Sequence, residues 1–166
     1  LVTGASGLIG TYILACLFHL RKLGMPMRIY ALSVSEVPPH LAEFVQDVDV
    51  MRLNLADFEA YPSLPQADII LHSAGYAGPV LSKINSASTI QINTTATIAL
   101  LQRLVNDGRL VYMSSSEVYS GLQKTLLTEA DIGTTTPYHT RSHYIEGKRC
   151  GEAICHAFRT QGMHTT

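Results

Sequence analysis

A tyrosine and a lysine four residues apart form the pair in this sequence that is best suited to proton transfer. Tyr144 and Lys148 stand at the start of a predicted helix, where an i, i+4 spacing places both side chains on one face. A phenol ordinarily titrates near pH ~10, and a fixed ammonium beside it favours the phenolate that a general base requires. The same spacing often arises by chance, so the pair gains meaning only from its context.

Hydroxyl groups collect earlier in the chain, at the end of a predicted strand. Ser114, Ser115 and Ser116 are followed directly by Glu117. At the carboxyl end of a strand, the Ser115 hydroxyl would hydrogen-bond a substrate hydroxyl and orient it for proton transfer. Glu117 is either a chemical group of the same site or a solvated turn residue, and the sequence leaves both interpretations open.

A glycine-rich segment near the start of the chain follows a predicted strand and opens a long helix. Gly4, Gly7 and Gly10 are spaced so that the backbone can turn tightly and approach a pyrophosphate. The helix that follows offers unpaired N–H groups and the positive end of its dipole to phosphate oxygens. A structural turn is the alternative, but the position between strand and helix favours dinucleotide binding.

These residues need a scaffold that brings strand ends and helix starts together. Short apolar runs alternate with longer helical patterns, which predicts βαβ units and a doubly wound α/β fold with a parallel, Rossmann-like sheet. Ligands bind such a sheet in the crevice at the carboxyl ends of its strands. The predicted strands are Leu1–Thr3, Arg28–Leu32, Val48–Leu53, Ile69–His72 and Leu110–Ser114. The predicted helices are Leu8–Leu23, a short one near His40–Phe44, Ser88–Val105 and Tyr144–Thr160.

The expected domain organisation is a single dinucleotide-binding domain over residues 1–166, because neither a repeat nor a linker interrupts the pattern. Leu1–Thr3 resembles the last part of a buried strand, and the residues after Gly162 resemble the start of another. We therefore expect a fragment truncated at both ends, with a substrate-binding lobe beyond Thr166.

Composition argues against several classes of function. Of the 166 residues 46% are hydrophobic and 15% are charged, and a net charge of -1 disfavours nucleic-acid or anionic-membrane binding. No apolar run reaches membrane-spanning length, and no secretory signal opens the chain. Three cysteines without a Cys-x-x-Cys pair predict a cytoplasmic protein, in which Cys150 and Cys155 are packing residues. His139 and His143 have a spacing that metals use, but a third ligand is not evident and no metal site is predicted.

Five motifs in one order carry a resemblance to a known family. They are Thr-Gly-x-x-Gly-x-x-Gly (Thr3–Gly10), His-x-Ala-Gly (His72–Gly75), Asn-Thr-x-x-Thr (Asn93–Thr97), Ser-Ser-x-x-Val-Tyr (Ser114–Tyr119) and Tyr-x-x-x-Lys (Tyr144–Lys148). The matches span almost the whole chain. The sequence resembles the extended short-chain dehydrogenase/reductase superfamily, and in particular its NAD-dependent epimerase/dehydratase group.

The resemblance implies a role for each matching residue. Tyr144 would be the proton-transferring base, Lys148 would also hold the nicotinamide ribose, and Ser115 would position the sugar hydroxyl. Asn93 would support the site and the cofactor from the middle helix. Asn54, followed by Leu55, takes the place of the acid that contacts adenine in the family. The remaining cofactor contacts that the resemblance implies are Gly4, Ser6, Gly7, Leu8, Ile9, Gly10, Ser73, Ala74 and Gly75.

The end of the second predicted strand bears on cofactor selection. A carboxylate at this point ordinarily holds the adenosine ribose hydroxyls of NAD. This sequence has Ser33 there, and the nearest acid is Glu36. Ser33 would hydrogen-bond the ribose without repelling a 2′-phosphate, so NAD is expected and NADP stays open.

Members of the group usually act on nucleotide-diphosphate sugars by oxidising a hydroxyl and later returning the hydride. The resemblance thus implies epimerisation, dehydration or decarboxylation of such a sugar. Glu117 and the segment Arg141–Arg149 resemble the UDP-glucuronate decarboxylase version of the motifs. A simple reductase that releases its reduced cofactor and a non-catalytic, dinucleotide-binding regulatory protein are the other interpretations.

The resemblance also implies a homodimer. In the family, the helix predicted over Ser88–Val105 and the catalytic helix often form a four-helix bundle with their copies. The apolar stripe of the first of these helices is Ile92, Ala96, Ala99 and Leu100.

Overall fold

Six parallel strands form one sheet in the computed structural model, which describes residues 1–36, 39–76 and 78–166. The strands are β1 (Val2–Thr3), β2 (Tyr30–Ser33), β3 (Asp49–Arg52), β4 (Ala67–His72), β5 (Leu104–Tyr112) and β6 (His164–Thr165). Their order across the sheet is β3-β2-β1-β4-β5-β6. The order reverses between β1 and β4, and such a switch point opens a crevice at the carboxyl edge. The prediction of a doubly wound parallel sheet is confirmed.

The helices lie between the strands in chain order. They are α1 (Leu8–Lys22), α2 (Pro79–Ile84), α3 (Ser86–Asn93), α4 (Thr95–Leu101) and α5 (Ser142–Thr160), and short 3₁₀ helices cover Pro39–Val45, Phe58–Ser63 and Ser116–Tyr119. α1 agrees with the predicted helix Leu8–Leu23 to within one residue, and α5 begins shortly before its predicted start at Tyr144. Within the described ranges, no helix combines the length and the apolar character that crossing a membrane requires.

The helix predicted over Ser88–Val105 is divided at Thr94. The φ of −115° and ψ of −80° at this residue lie outside helical geometry, so α3 ends before it and α4 begins after it. The Thr94 hydroxyl donates to the carbonyl of Ile90, a local bond that competes with the regular helical pattern. The end of α3 packs closely on α5, where the backbone of Gly147 approaches Asn93.

Both predicted bounds of the strand Leu110–Ser114 are wrong. β5 starts at Leu104 and ends at Tyr112, so the serine run lies beyond the strand. The apolar residues 104–105 fit a helix and a strand equally well, so periodicity alone could not assign them. Asp107 has a left-handed φ of 62° and interrupts the strand pattern at the point where the pairing with β4 shifts its register.

Two apolar clusters pack the opposite faces of the sheet. Ala31 belongs to the cluster that includes Leu14 of α1, whereas the next residue, Leu32, belongs to the cluster with α3, α4 and α5. Side chains alternate between the faces of a strand, so the two clusters lie on opposite sides. Leu8 and Ile9 belong to neither cluster, are 78% and 52% exposed, and lie with Tyr12 and Cys16 on the open face of α1.

Candidate active site

The glycine-rich loop lies between β1 and α1 at the carboxyl edge of the sheet. Gly4 has a left-handed φ of +65°, which favours glycine, and its carbonyl accepts from the amide of Gly7 at 2.9 Å. A Cβ on Gly10 would collide with the carbonyl oxygen of Gly4, so α1 can pack on the loop only through a glycine. No described side chain caps α1 at Gly7, and its first amide groups remain available to a ligand.

A second loop, after β4, closes on the first. A Cβ on Gly4 would lie 2.7 Å from the Cα of Ala74, so the two backbones are in direct contact. The Ser73 hydroxyl donates to the carbonyl of Thr3 at 2.6 Å, and the amide of Ala74 donates to the Thr3 hydroxyl at 3.1 Å. Ser73 is therefore engaged with β1, while Ala74 and Gly75 line the crevice.

His72, at the end of β4, joins β1 to α3 by two hydrogen bonds. Its Nε2 lies 3.1 Å from the carbonyl of Ile92, which can only accept, so this nitrogen carries the proton. Nδ1 then accepts from the Thr3 hydroxyl at 2.7 Å. Burial lowers the pKa of His72 to about 4. The ring is uncharged at neutral pH, and it serves as a structural link between β1 and α3.

A cleft lies over the carboxyl ends of the strands on either side of β1. Predicted cofactor-binding residues line much of it, namely Gly4, Ser6, Ser33, Asn54, Leu55, Ala74 and Gly75. The rest of the wall is formed by residues that the sequence did not identify as cofactor-binding, namely Leu32, Val34, Leu53, Tyr76 and Ile92. Apolar residues of this kind occur at the ends of most buried strands, so no sequence signal separates them from the core.

Three serine hydroxyls meet at the end of β2. Ser6 Oγ lies 2.7 Å from Ser33 Oγ and 2.9 Å from Ser35 Oγ, and the Ser33 hydroxyl donates to the carbonyl of Ser35 at 2.6 Å. This serine cluster stands where a carboxylate holds the ribose in an NAD-selective site. It offers hydrogen bonds without a negative charge, so it can hold a ribose hydroxyl and does not repel a phosphate.

Asn54 and Leu55 follow β3 at the far wall of the cleft. Asn54 Oδ1 accepts from the amide of Ala56 at 3.0 Å, which forms a local Asx turn. An amide oxygen has two lone pairs, so one remains for a ligand. The contact of Asn54 with adenine stays a prediction.

Tyr144 and Lys148 lie together on α5, beside the end of β5. Both side chains are buried, and Lys148 Nζ is 5.9 Å from the centre of the Tyr144 ring. Nζ donates to the carbonyl of Met113 at 2.5 Å and lies 4.7 Å from the centre of the Tyr112 ring. Burial lowers the pKa of Lys148 to about 8. At neutral pH the residue is an ammonium fixed beside the tyrosine.

Asn93 supports this pair from inside the fold. Its side chain is fully buried, with Oδ1 accepting from the Tyr112 hydroxyl at 2.8 Å and Nδ2 donating to the carbonyl of Thr89 at 2.7 Å. Burial raises the pKa of Tyr112 far above its ordinary value, so this hydroxyl keeps the proton that it donates. Both polar atoms of this buried side chain are bonded within the fold, and the roles expected for Asn93 at the site and the cofactor stay predictions.

Ser115 and Glu117 occupy the start of the 3₁₀ helix that follows β5. Ser115 caps this helix, and its Oγ accepts from the amide of Glu117 at 3.2 Å. The Glu117 carboxylate accepts two hydrogen bonds from Arg141, at 2.7 Å from Nε and 2.5 Å from Nη2. Glu117 is therefore an ion-paired residue, and Arg141 is a member of the site that the sequence did not identify as functional.

The two histidines considered as metal ligands have different surroundings. His139 is exposed and its Nδ1 accepts from the amide of Arg141 at 3.2 Å, whereas His143 is buried on α5. Burial, followed by the charge of Arg141, lowers the pKa of His143. Over the described part of the chain, no three His, Cys, Asp or Glu side chains group so that they could hold a metal ion. Cys155 is buried as predicted, but Cys150 is exposed, so the packing role expected for Cys150 is wrong.

The whole chain matches one protein family. A model of the NAD dependent epimerase/dehydratase family matches residues 1–166. Among curated proteins, UDP-glucuronic acid decarboxylase 6 of Arabidopsis thaliana is 28% identical over 164 residues, which cover 97% of this chain and 46% of the relative. A dTDP-4-dehydro-6-deoxy-D-allose reductase of a Streptomyces species is 30% identical over an alignment of 172 residues, covering 97% of this chain and 51% of that protein. The chain spans about half the length of these curated relatives.

A solved structure shares the fold. A dTDP-glucose 4,6-dehydratase from Streptomyces venezuelae, solved with NAD bound, superposes with a TM-score of 0.76 at 23% identity. The superposition covers 99% of this chain and 52% of that enzyme. The family match over all residues confirms the resemblance that the five motifs carried. The chain belongs to the NAD-dependent epimerase/dehydratase family.

Proposed function

We propose that the protein oxidises a hydroxyl of a nucleotide-diphosphate sugar and returns the hydride before the product leaves. The arrangement on α5 carries the proposal, because Tyr144 and Lys148 lie side by side and Lys148 is anchored at the end of β5. Tyr144 takes the proton of the sugar hydroxyl, and the charge of Lys148 stabilises the phenolate that does so. Ser115, at the start of the adjacent 3₁₀ helix, orients that hydroxyl.

NAD is the proposed cofactor, and it would supply the hydride acceptor when bound. The close contact between the Gly4 loop and the Ala74 loop, together with the open first turn of α1, fits a pyrophosphate. Lys148 would also hold the nicotinamide ribose. The serine cluster of Ser6, Ser33 and Ser35 would hold the adenosine ribose, and its lack of charge leaves NADP open as well.

A UDP-glucuronate decarboxylase-like reaction is the second candidate. Glu117 and the segment Arg141–Arg149 resemble the decarboxylase version of the motifs, and several similar curated proteins are named UDP-glucuronic acid decarboxylases. In such a reaction, oxidation of a sugar hydroxyl makes the neighbouring carboxylate labile. The other outcomes, epimerisation and dehydration, use the same first step and the same base.

A non-catalytic role as a dinucleotide-binding regulator is less well supported. Ser115, Tyr144 and Lys148 are all present, and a regulator that only binds the dinucleotide would not need the Tyr144 hydroxyl beside Lys148. A homodimer stays a proposal drawn from the family. The apolar stripe that suggested it (Ile92, Ala96, Ala99 and Leu100) is buried within this chain, so a second copy would have to use other residues.

Product analysis of the full-length protein tests the proposal. The protein is incubated with NAD and, separately, with UDP-glucose, UDP-glucuronate and dTDP-glucose. Carbon dioxide and a UDP-pentose from UDP-glucuronate would establish the decarboxylase. Interconversion of UDP-hexoses without gas would establish an epimerase. Cofactor binding without turnover of any nucleotide sugar would favour the regulatory alternative.

A further inference from the structure

We infer that the ion pair between Glu117 and Arg141 is a clamp that holds the serine-bearing turn against the tyrosine-bearing helix, which makes Arg141 a positioning residue of the active site. The inference rests on the proposed function, because it gives the ion pair a part in the same reaction. It also gives Glu117 a role that differs from proton transfer.

Each partner of the clamp is bonded directly to a residue that must be positioned. The amide of Glu117 donates to Ser115 Oγ at 3.2 Å. Arg141 is the residue before α5, and its carbonyl accepts from the amides of Tyr144 at 3.0 Å and Ile145 at 3.1 Å. A displacement of either charged residue is therefore transmitted through one hydrogen bond to Ser115 or to Tyr144.

The geometry of the clamp fixes orientation as well as distance. Two nitrogens of the Arg141 guanidinium donate to the two carboxylate oxygens of Glu117. A planar guanidinium that donates two hydrogen bonds to one carboxylate fixes the relative orientation of the two groups, which a lysine ammonium does not. The side chains are only 21% and 34% exposed, so water screens the pair incompletely. The guanidinium carbon lies 5.1 Å from the centre of the Tyr144 ring, which places the clamp at the site itself.

A second tie joins the same two elements at some distance from the clamp. Arg149, further along α5, donates from Nε to the carbonyl of Val118 at 2.8 Å. Arg149 also pairs with Glu146 at 2.9 Å on its own helix. Because the Arg149 bond keeps the 3₁₀ helix attached to α5, loss of the clamp should loosen the site without unfolding the protein.

The clamp makes a prediction that separates positioning from proton transfer. A misplacement of about 1 Å between reacting groups lowers a rate by about 100-fold. Glu117→Gln and Arg141→Gln should each lower kcat by about 10- to 100-fold and change KM much less. The double variant should be no slower than the slower single variant, because all three lose the same interaction.

The experiment uses the full-length protein with NAD and a nucleotide sugar that the wild type turns over. kcat, KM and the pH profile are measured for the two single variants, the double variant and Arg141→Lys. Arg141→Lys keeps the charge without the planar guanidinium and should recover part of the lost rate. Glu43→Gln is the control, since it removes an exposed ion pair with Lys22 outside both elements of the clamp, and it should behave as the wild type.

Three results would overturn the clamp. The first is a double variant whose loss of kcat is the product of the two single losses, and the second is a wild-type kcat for Arg141→Gln. The third is a pH profile of kcat that loses one limb in Glu117→Gln alone. The last of these would assign Glu117 to proton transfer. The unfolding temperatures of the same variants test the ion pair without turnover. A decrease in the double variant that is smaller than the sum of the two single decreases supports the ion pair, and a decrease equal to that sum contradicts it. If the wild type turns over no nucleotide sugar, the proposed function fails and the positioning role fails with it.

Discussion

Two buried bases near the crevice show how burial sets different roles for individual residues. Burial lowers the pKa of His72 from 6.5 to about 4 and that of Lys148 from 10.5 to about 8. Because the ordinary value of lysine is so much higher, Lys148 keeps its charge at neutral pH and His72 does not. The uncharged His72 joins β1 to α3 by hydrogen bonds. The charged Lys148 is available to stabilise an anion at Tyr144.

Replacing Tyr144 by phenylalanine should remove the proton-transferring group and leave the fold intact. We expect turnover of the nucleotide sugar to fall by about 100- to 10,000-fold, which is the usual contribution of a positioned general base. The affinity for NAD should change little, and cofactor titration of the variant checks this. Full turnover by Tyr144→Phe would refute the role of this residue.

The lowered pKa of Lys148 predicts how stability depends on pH. Between about pH 8 and 10.5 the unfolded chain carries a proton on this lysine that the folded chain has lost. The unfolded state then binds more protons, so the contribution of Lys148 to the free energy of unfolding rises with pH across this window. Below the window both states are protonated and the penalty of burying the charge is constant.

Lys148→Met should abolish this rise. The measurement is urea unfolding of the cofactor-free wild type and variant at pH values on both sides of the window. As the pH increases, the free energy of unfolding of the wild type should rise relative to that of the variant. If the wild type gained no stability relative to the variant across this window, the pKa of Lys148 in the folded protein would not be lowered.

Among the elements, the loop between β1 and α1 depends most strictly on its residues. Gly4 adopts a left-handed φ, and Gly10 allows α1 to pack on the Gly4 carbonyl. Only glycine satisfies these backbone requirements, so the positions of the glycines can be recognised from the sequence alone. The start of α1 follows from the same spacing, which is why the first residue of this helix could be predicted correctly.

Gly10→Ala should displace α1 from the loop, because the added Cβ would collide with the Gly4 carbonyl. We expect the affinity for NAD to fall by at least about tenfold, a loss of about 1.4 kcal/mol. Gly78→Ala is the matched control, since a Cβ there would meet no atom of the described residues within 4 Å. Calorimetric titration of both variants provides the comparison, and equal affinities would contradict the proposed phosphate loop.

Other elements could not be predicted because their signals are not local. The division of the middle helix at Thr94 and the early start of β5 at Leu104 depend on packing against α5 and β4. The partners Glu117 and Arg141 belong to no periodic pattern, and only the fold brings them together. The motifs Ser114–Tyr119 and Tyr144–Lys148 were visible in the sequence, whereas the ion pair between the elements that carry them was not.

The topology of the whole molecule gathers these parts at one edge. The strand order reverses between β1 and β4, so the glycine loop, the serine cluster and the end of β4 meet at one cleft, and β5 ends at the same edge of the sheet. The cleft near β2 and β3 suits the adenosine half of a dinucleotide. Tyr144 and Lys148 lie beside the end of β5, where the nicotinamide half would come under the proposed function. Under the proposed function, one parallel sheet would supply both the cofactor site and the catalytic group.

The most direct test of this account follows the hydride through a complete turnover of the full-length protein. The substrate is the nucleotide sugar that the wild type converts, labelled with deuterium on the carbon that is oxidised, and NAD is supplied in an amount far below that of the sugar. We predict many turnovers for each NAD, no accumulation of NADH, and deuterium retained in the product. NADH formed in proportion to product, with the label in the cofactor, would contradict transient oxidation and identify a simple dehydrogenase instead.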